Sequence, residues 1–221
     1  MGKVALVTGS AGYVGSAVAK RLAGEGLRIA LLYHAVEPDI ASLPGTGHAA
    51  YQVDLTKEDE VQAAVDATEH SIGPVSVLVH TAGKAPVRGA LTDATLASVR
   101  EEFETNAAGS FLILREVAKR MKERKDGLII GITSIAAENS AAGKGLGAYV
   151  PAKAALRSML GLLKAELASS GVRVEEVAPG FMPDGMNADL PAAFKEMGKA
   201  RNPPGIPSSA DEVAEAILRL I

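Results

Sequence analysis

Residues 4–15 decide the fold, and they read VALVTGSAGYVG. Five apolar or β-branched residues predict a buried strand, and a turn with three glycines leads from it into apolar residues at helical spacing. Without a Cβ, Gly9 can take a tight turn, and Gly12 allows the backbone to approach a ligand closely. Gly15 allows the helix to pack close to the strand. The segment therefore predicts the first strand, turn and helix of a parallel α/β sheet.

The alternation of short apolar runs and longer amphipathic segments continues along the whole sequence. Parallel strands need long crossovers and are buried on both faces, so the pattern favours a parallel sheet flanked by helices. The predicted fold class is a doubly wound α/β sheet, organised as one domain over residues 1–221. Strands are predicted at residues 3–8, 28–33, 48–53, 75–80, 128–133 and 172–178, and helices at 13–24, 57–72, 96–124 and 148–169. A last helix is predicted after Ser209, which has capping-box spacing to Glu212, with Val213, Ile217 and Leu218 facing inward.

Composition and charge narrow the functional classes. The formal net charge of -3 offers no basic surface for nucleic acid, and no apolar run approaches the roughly 20 residues that span a bilayer. Because there is no cysteine and the four histidines are far apart, we expect neither disulfides nor a metal site. The first residues offer no apolar core of a secretory signal. We therefore expect a cytoplasmic protein without nucleic-acid or membrane partners.

The glycine turn is typical of a dinucleotide site, because it follows the first strand and opens a helix. A pyrophosphate there would meet unpaired N–H groups and the positive end of the helix. The simpler alternative is a plain strand-to-helix turn that contains three glycines. Asp54, at the end of the third strand, can accept a hydrogen bond from an adenine amino group, or it can merely begin a turn before Thr56.

The end of the second strand bears on the choice between NAD and NADP. An NAD enzyme usually has an acid there that binds the ribose hydroxyls, whereas NADP requires that acid to be absent. Here the strand ends at Tyr33 and His34, and the first acid is Glu37. We therefore predict NADP in preference to NAD, with His34 and Ser10 as candidate neighbours of the 2′-phosphate. A solvent-facing loop position for His34 is the alternative.

Residues 149–153 read YVPAK and place Tyr149 and Lys153 on the same face of a helix. A tyrosine with an ordinary pKa of about 10 is a poor base at neutral pH, but a neighbouring ammonium and a nicotinamide cation favour the phenolate. Lowering that pKa by about 3 units requires about 4 kcal/mol. Tyr149 is therefore predicted to transfer the substrate proton. Pro151 is compatible with the first turn of the helix.

Two further polar residues are predicted to lie near this pair. Ser134 follows the fifth strand, where its hydroxyl can donate to the oxygen of a carbonyl or alkoxide. Asn106 lies in an otherwise apolar helix, and a buried amide needs partners, so it could position a water that reaches Lys153. The segment HTAG at residues 80–83 ends the fourth strand at the same edge of the sheet, and Gly83 permits a turn beneath an adenosine.

In their order along the chain, these motifs resemble those of the short-chain dehydrogenase/reductase family. The resemblance runs from Val4 to the last helix and therefore covers nearly the whole sequence. It implies a Rossmann-type subunit that moves a hydride between a nicotinamide and a carbonyl or alcohol. The pattern is most similar to that of bacterial 3-oxoacyl-carrier-protein reductases.

The resemblance also implies roles for individual residues. The catalytic tetrad would be Asn106, Ser134, Tyr149 and Lys153, and Lys153 would also hold the nicotinamide ribose. The PGFM segment after the sixth strand would flank the nicotinamide. Together with the predictions above, the candidate cofactor-binding residues are Gly9, Ser10, Gly12, Tyr13, Val14, Gly15, Tyr33, His34, Asp54, Leu55, Thr81, Ala82, Gly83, Tyr149, Lys153, Pro179, Gly180 and Met182.

The sequence departs from the family pattern in several places. The glycine turn reads T-G-x-x-G-x-x-G, as in the larger epimerase-like branch, but too few residues follow position 178 for the substrate domain of that branch. His80 and Thr81 replace the usual Asn-Asn, which we expect to loosen the adenosine side of the pocket. The family usually adds a seventh strand after the last helix, so this sheet is expected to lack its last strand.

The resemblance bears on partners as well. The expected ligand is a small-molecule carbonyl or alcohol, and the expected assembly is a homodimer or homotetramer in which the helices at 96–124 and 148–169 pair across a two-fold axis. A protein of a different class, a catalytically weak NAD(P)-binding sensor or scaffold, is the alternative. The intact tetrad argues against that alternative.

Overall fold

The computed structural model describes residues 2–221, except for the side chains of residues 141 and 142. Its centre is a six-stranded sheet in the order β3-β2-β1-β4-β5-β6, with all neighbouring strands parallel. The predicted doubly wound Rossmann-type sheet is therefore confirmed, and residues 2–221 contain no seventh strand. The strands are β1 (Val4–Thr8), β2 (Arg28–Tyr33), β3 (Ala49–Gln52), β4 (Val75–His80), β5 (Gly127–Ile132) and β6 (Val172–Val177).

Helices cover both faces of this sheet. One face carries α1 (Tyr13–Gly24) and α8 (Ala210–Leu218), which pack against each other. The other face carries α2 (Glu58–Ser71), α4 (Gly109–Arg124) and α6 (Tyr149–Leu167). The shorter helices are α3 (Leu96–Phe103), α5 (Ile135–Glu138) and α7 (Ala192–Ala200). The strand order reverses between β1 and β4, and such a switch point leaves a crevice at the carboxyl ends of the strands.

Two hydrophobic cores result from the alternation of side chains along the buried strands. In β1, Val4 and Leu6 face α2, α4 and α6, whereas Ala5 and Val7 face α1 and α8. All five residues of β1 are buried, because helices cover both of its faces. The carboxyl edge of the sheet is therefore held between two packed layers.

The helix predicted over residues 96–124 is interrupted in the structure. α3 ends at Phe103, Glu104–Ala108 form one π-helical turn, and α4 begins at Gly109. Such turns are rare in proteins overall, and those that occur are often at functional sites. This one contains Asn106, whose backbone carbonyl accepts a hydrogen bond from Ser110 Oγ at 2.9 Å. The apolar spacing did not reveal the interruption, because in α3 the large apolar residues Leu96 and Phe103 are exposed, whereas Glu102 is buried.

The other predicted strands and long helices lie within two residues of their predicted bounds. α8 begins as expected, because Ser209 Oγ accepts from the N–H of Glu212 at 3.2 Å. The Glu212 carboxylate reaches back to the N–H of Ser208 at 2.6 Å. Val213 and Ile217 are buried against α1 and β-strand residues of the same core. The short helices α5 and α7 were not predicted.

Candidate active site

The glycine turn joins β1 to α1 at the carboxyl edge of the sheet. Gly9 has φ +63°, in the left-handed region that favours glycine. A Cβ on Gly9 would lie 2.8 Å from Ala82 Cα, and a Cβ on Gly15 would overlap the carbonyl oxygen of Gly9. The close approach of the turn to the end of β4 therefore requires glycine at both positions.

The first turn of α1 suits an anion. Gly12 is the N-cap residue with an extended backbone, and no side chain caps the helix. The first turn contains no acidic residue, Gly12 and Tyr13 are exposed, and Val14 is half-buried. Because the N–H groups and the helix dipole favour negative charge, this turn fits the pyrophosphate of a dinucleotide.

Ser10 and Thr81 hold the turn in place. Ser10 is buried, and its backbone N–H and its hydroxyl both donate to Leu32 O, at 3.2 and 3.1 Å. Thr81 Oγ1 donates to Thr8 O at 2.5 Å, and the N–H of Ala82 donates to Thr8 Oγ1 at 3.1 Å. The hydroxyl of Ser10, expected near a 2′-phosphate, is thus bonded to the backbone of β2.

The ends of β2 and β3 form the side expected to receive adenosine. Tyr33 is half-buried and His34 is exposed. Asp54 Oδ1 accepts from the N–H and the hydroxyl of Thr56, at 3.0 and 2.7 Å. These hydrogen bonds lower the pKa of Asp54, and the nearby charges of His34 and Lys57 act in the same direction. Asp54 therefore begins a turn, and its second oxygen, Oδ2, takes no part in that turn.

His80 connects β1 to the π-helical turn. It is buried, with Nδ1 2.8 Å from Thr8 Oγ1 and Nε2 2.8 Å from Ser110 Oγ. Because Ser110 donates its own proton to Asn106 O, it accepts from Nε2–H, and Nδ1 accepts from Thr8. Burial, with a smaller effect from Lys153, lowers the pKa of His80 to about 3 and keeps it neutral. His80 therefore ties the end of β4 to β1 and to the start of α4.

Asn106 and Lys153 meet beside Gly83. Both side chains are buried, and Lys153 Nζ donates to Ile132 O at 3.1 Å. A Cβ on Gly83 would lie 2.9 Å from Asn106 Oδ1 and 3.4 Å from Lys153 Nζ. Burial lowers the pKa of Lys153 to about 8, although the negative charge of Glu102 opposes that shift. The lysine therefore remains largely protonated at neutral pH.

Tyr149 begins α6, one helical turn before Lys153. Lys153 Nζ lies 5.9 Å from the centre of the Tyr149 ring. Burial, and next the negative charge of Glu102, raise the pKa of Tyr149 to about 12. This direction is opposite to the one predicted from a neighbouring ammonium and a nicotinamide cation. In the protein alone, desolvation of the phenol outweighs the effect of the lysine.

Ser134 lies two residues beyond β5. Its Oγ accepts from the N–H of Ala136 at 3.2 Å and so caps α5. Because that bond uses only a lone pair, the hydroxyl proton remains available to another acceptor. The N–H of Ile135 donates to Pro179 O at 3.0 Å. The end of β5 is thereby joined to the segment that follows β6.

Asn202 holds the PGFM segment after β6. Its Oδ1 accepts from the N–H of Phe181 at 2.7 Å, and its Nδ2 donates to Phe181 O at 2.8 Å. Gly180 leaves the space that Asn202 occupies, since a Cβ there would overlap the amide. Met182 packs against the core shared by α1 and α8. No sequence pattern indicated this role of Asn202, because its partner is 21 residues away.

The loop after β4 and the loop before α6 are linked by their backbones. The N–H of Gly89 donates to Gly145 O at 2.9 Å, and the N–H of Gly147 donates to Gly89 O at 3.1 Å. Gly145 and Gly147 have φ +84° and +43°. The glycines before Tyr149 therefore allow the chain to pair with the loop after β4.

Glu102 on α3 is a buried residue near this site that the sequence analysis did not single out. Its Oε1 accepts from the N–H of Val87 at 2.8 Å, and its Oε2 accepts from Asn106 Nδ2 at 2.8 Å. Only 1% of the residue is exposed. The available signal was its spacing, four residues before Asn106 and hence on the same helical face.

The described part of the chain shows neither a metal cluster nor a membrane-spanning helix. Among residues 2–221, no three His, Cys, Asp or Glu side chains are grouped as metal ligands would be. No helix in that range combines the length and apolar character needed to cross a bilayer.

Comparisons with known proteins agree with this architecture. Residues 3–194 match the short chain dehydrogenase family. Cis-4-hydroxycyclohexanecarboxylate dehydrogenase of Sinomonas cyclohexanicum is 32% identical, over 97% of this chain and 87% of that protein. The 3-oxoacyl-(acyl-carrier-protein) reductase FabG of Aquifex aeolicus is 30% identical, over 99% of this chain and 90% of that protein.

A solved structure extends the comparison to three dimensions. Actinorhodin polyketide ketoreductase with NADPH has a TM-score of 0.85 and 28% identity, over 99% of this chain and 90% of that chain. The sheet and helices thus share their arrangement with a ketoreductase along nearly the whole length. The protein belongs to the short-chain dehydrogenase family of oxidoreductases, which bind NAD(P) and act on alcohol or carbonyl groups.

Proposed function

We propose that the protein is an NADPH-dependent ketoreductase, in which residues 1–221 act as one catalytic domain that reduces a small or acyl-type carbonyl. The observation that carries this proposal is the gathering of Tyr149, Lys153 and Asn106 near Gly83, at the same sheet edge as the glycine turn. A proton donor and an anion site lie side by side, as carbonyl reduction by a dinucleotide requires.

The chain fits a dinucleotide in the crevice between β1 and β4. The uncapped first turn of α1 would hold the pyrophosphate, and Gly9 and Gly15 keep the turn close to β4. When bound, the reduced nicotinamide supplies the hydride. Ser10 and Thr81 would support the turn from within. The residues proposed to contact the cofactor are Gly9, Gly12, Tyr13, Val14, Gly15, Tyr33, His34, Asp54, Leu55, Ala82, Gly83, Tyr149, Lys153, Pro179, Gly180 and Met182.

The preference for NADPH is based on the end of β2. His34 is exposed there, and no acid lies between the start of β2 and Glu37, so a 2′-phosphate would meet an imidazole in place of a carboxylate. The similar actinorhodin ketoreductase was solved with NADPH. Both observations favour the phosphorylated cofactor.

Tyr149 is the proposed proton donor. Its pKa of about 12 keeps the phenol protonated at neutral pH, and reduction needs a proton for the oxygen that becomes the alcohol. Ser134 can donate its hydroxyl proton to the same oxygen while it accepts from the N–H of Ala136. The ammonium of Lys153 stabilises the phenolate that remains. The protein alone therefore holds Tyr149 in the protonated form that carbonyl reduction requires.

The segments that flank the tetrad expose apolar side chains, which would suit an apolar substrate. Val87 and Leu91 are exposed on the loop after β4, and Met186, Phe194 and Met197 are exposed between β6 and α8. Large exposed apolar side chains beside a site are typical of ligand-binding surfaces. We therefore propose an acyl chain or ring next to the reduced carbonyl.

We also propose that two subunits pair at least as a homodimer through α4 and α6. Phe111 on α4 and Leu162 on α6 are 46% and 60% exposed, and pairing would cover them. Light scattering coupled to size-exclusion chromatography tests this assembly. A monomeric mass at micromolar concentration would contradict it.

Replacing Tyr149 with phenylalanine tests the proton donor. Tyr149→Phe keeps the ring and removes the phenol proton, so the reduction of acetoacetyl-CoA and of small ketones should fall by about 10² to 10⁴. Loss of NADPH absorbance measures turnover, and NADPH fluorescence should show that cofactor binding is retained. Tyr51→Phe is a matched control, because the Tyr51 hydroxyl bonds to Ala67 O on α2 and should not affect turnover.

The outcomes of this test separate the candidate functions. Full turnover by Tyr149→Phe would remove its proposed role. A wild-type protein that binds NADPH but reduces none of these carbonyls would instead support the sensor or scaffold alternative.

Titration with NADPH and with NADH, each followed by fluorescence, tests the cofactor preference. We expect the wild type to bind NADPH more tightly than NADH. We expect His34→Ala to weaken the binding of NADPH more than the binding of NADH. Equal or tighter binding of NADH by the wild-type protein would overturn the preference.

A further inference from the structure

Glu102 is a buried acid whose charge acts on Tyr149 and Lys153, and it is neither one of the four tetrad residues nor one of the residues proposed to contact the cofactor. It lies at the end of α3, one turn before Asn106, and is 1% exposed. A carboxylate is almost never buried unless its charge is compensated and its oxygens are hydrogen-bonded. The burial of the Glu102 carboxylate therefore needs a structural or functional explanation.

Both oxygens of Glu102 accept from N–H donors. Oε1 accepts from the backbone of Val87, and Oε2 accepts from Asn106 Nδ2, each at 2.8 Å. The other end of the Asn106 amide, Oδ1, accepts from the N–H of Lys84 at 2.9 Å. The carboxylate therefore determines which end of the Asn106 amide faces Gly83 and Lys153.

We propose that Glu102 is a positioning residue of the active site, which orients Asn106, holds the loop at residues 84–87 and places a negative charge beside Tyr149 and Lys153. The inference rests on the proposed function. The hydrogen bonds of Glu102 are made with Val87 and Asn106. Its effect on the reaction is thus exerted through Asn106 and through charge.

The charged and titratable groups around Glu102 come from three elements. Tyr149 and Lys153 face it from α6, and its negative charge raises the pKa of both. The loop after β4 contributes Lys84, which pairs with Glu101, and Arg88, which bonds to Asn187; β4 contributes the neutral His80. Tyr149 and Lys153 are therefore the groups whose titration should respond to Glu102.

Glutamine cannot replace Glu102 without loss. If the glutamine oxygen accepts from the N–H of Val87, its NH₂ group faces Asn106 Nδ2, donor against donor. If Asn106 turns over to relieve this contact, its NH₂ group faces the N–H of Lys84 instead. One donor is left unpaired in either arrangement, which costs free energy in a buried site.

The test compares Glu102→Gln, Glu102→Asp and a matched control, Glu101→Gln, at the neighbouring exposed position. Activity is measured with NADPH and acetoacetyl-CoA as a function of pH. For Glu102→Gln we expect kcat to fall by about 10- to 100-fold because the site is misaligned. Loss of the negative charge also lowers the pKa of Tyr149 and of Lys153, so the alkaline limb of the pH profile should move to lower pH.

The other two variants separate charge from geometry. Glu102→Asp keeps the charge but is too short to hold both donors, so kcat should fall while the pH profile stays in place. Glu101→Gln should have the same kcat and the same pH profile as the wild type. Wild-type kcat in Glu102→Asp, or a fall in kcat for Glu102→Gln without a shift of its pH profile, would overturn the proposal.

A second measurement needs neither cofactor nor turnover. Tyrosine labelled with carbon-13 at Cζ reports ionisation by NMR, and Tyr149→Phe assigns the signal. In the cofactor-free protein, the Tyr149 signal should titrate at lower pH in Glu102→Gln than in the wild type, and an unchanged titration would contradict the charge effect. Because this result does not depend on the reaction, it tests Glu102 even if the wild type reduces no carbonyl.

Discussion

The glycine turn and the corner formed by Asn106, Tyr149 and Lys153, here called the Lys153 corner, lie at the same edge of the sheet but work by different means. The turn presents backbone, and its two critical glycines leave no room for a Cβ. The Lys153 corner presents buried polar side chains, each with a hydrogen-bond partner or a charged neighbour. The turn should therefore be sensitive to added volume, whereas the Lys153 corner should be sensitive to charge and hydrogen bonding.

Among the glycine and histidine variants that probe this comparison, the largest effect is expected from adding a methyl group to the turn. In Gly15→Ala the Cβ would overlap Gly9 O, which is backbone and cannot rotate away. We expect NADPH affinity to fall about 100-fold, which corresponds to about 2.7 kcal/mol, because the turn must open. Fluorescence titration measures the affinity.

Gly161→Ala is the matched control for that variant. Gly161 lies within α6, and no atom lies within 4 Å of a Cβ there. Since alanine favours a helix over glycine, we expect unchanged affinity and a slight gain in thermal stability. Similar NADPH affinities in Gly15→Ala and Gly161→Ala would show that the turn is not limited by volume.

His80, which links the two regions, should make stability depend on pH. Its pKa is lowered from 6.5 to about 3 in the folded protein, so the unfolded chain takes up the proton first as pH falls. The stabilisation is complete above pH 6.5 and is lost progressively as pH falls toward 3. Between pH 7 and pH 5 the loss from this one residue is about 2 kcal/mol.

Urea unfolding at the two pH values measures this effect. In His80→Asn the fall in the free energy of unfolding between pH 7 and pH 5 should be smaller by about 2 kcal/mol. His70→Asn, at an exposed position on α2, should behave as the wild type does. An equal pH dependence in all three proteins would mean that folding does not lower the pKa of His80.

The smallest effect is expected at Gly83, where the two regions meet. A Cβ in Gly83→Ala would lie 2.9 Å from Asn106 Oδ1 and 3.4 Å from Lys153 Nζ, and side chains can yield where backbone cannot. We expect kcat to fall about tenfold, about 1.4 kcal/mol, with a smaller loss of NADPH affinity. A loss of affinity as large as in Gly15→Ala, with kcat intact, would assign Gly83 to the turn.

Local patterns were enough to predict much of this molecule. The spacing of apolar residues predicted all six strands within two residues, because burial on both faces leaves a continuous apolar run in the sequence. The Tyr149–Lys153 pair and the glycine turn were visible for the same reason, since each depends on residues a few positions apart. The π-helical turn around Asn106 was not recognised, because apolar spacing does not follow burial in α3, where Leu96 and Phe103 are exposed and Glu102 is buried.

The fold class, the glycine turn and the helix that carries Tyr149 and Lys153 could all be read from the amino-acid sequence, because steric demand and periodicity act over short distances along the chain. The partners of Glu102, His80 and Asn202, and the raised pKa of Tyr149, arise only in the folded protein. Those properties depend on which distant segments meet in a buried, weakly polarisable interior. Desolvation and charge are strongest there and leave no regular pattern in the sequence.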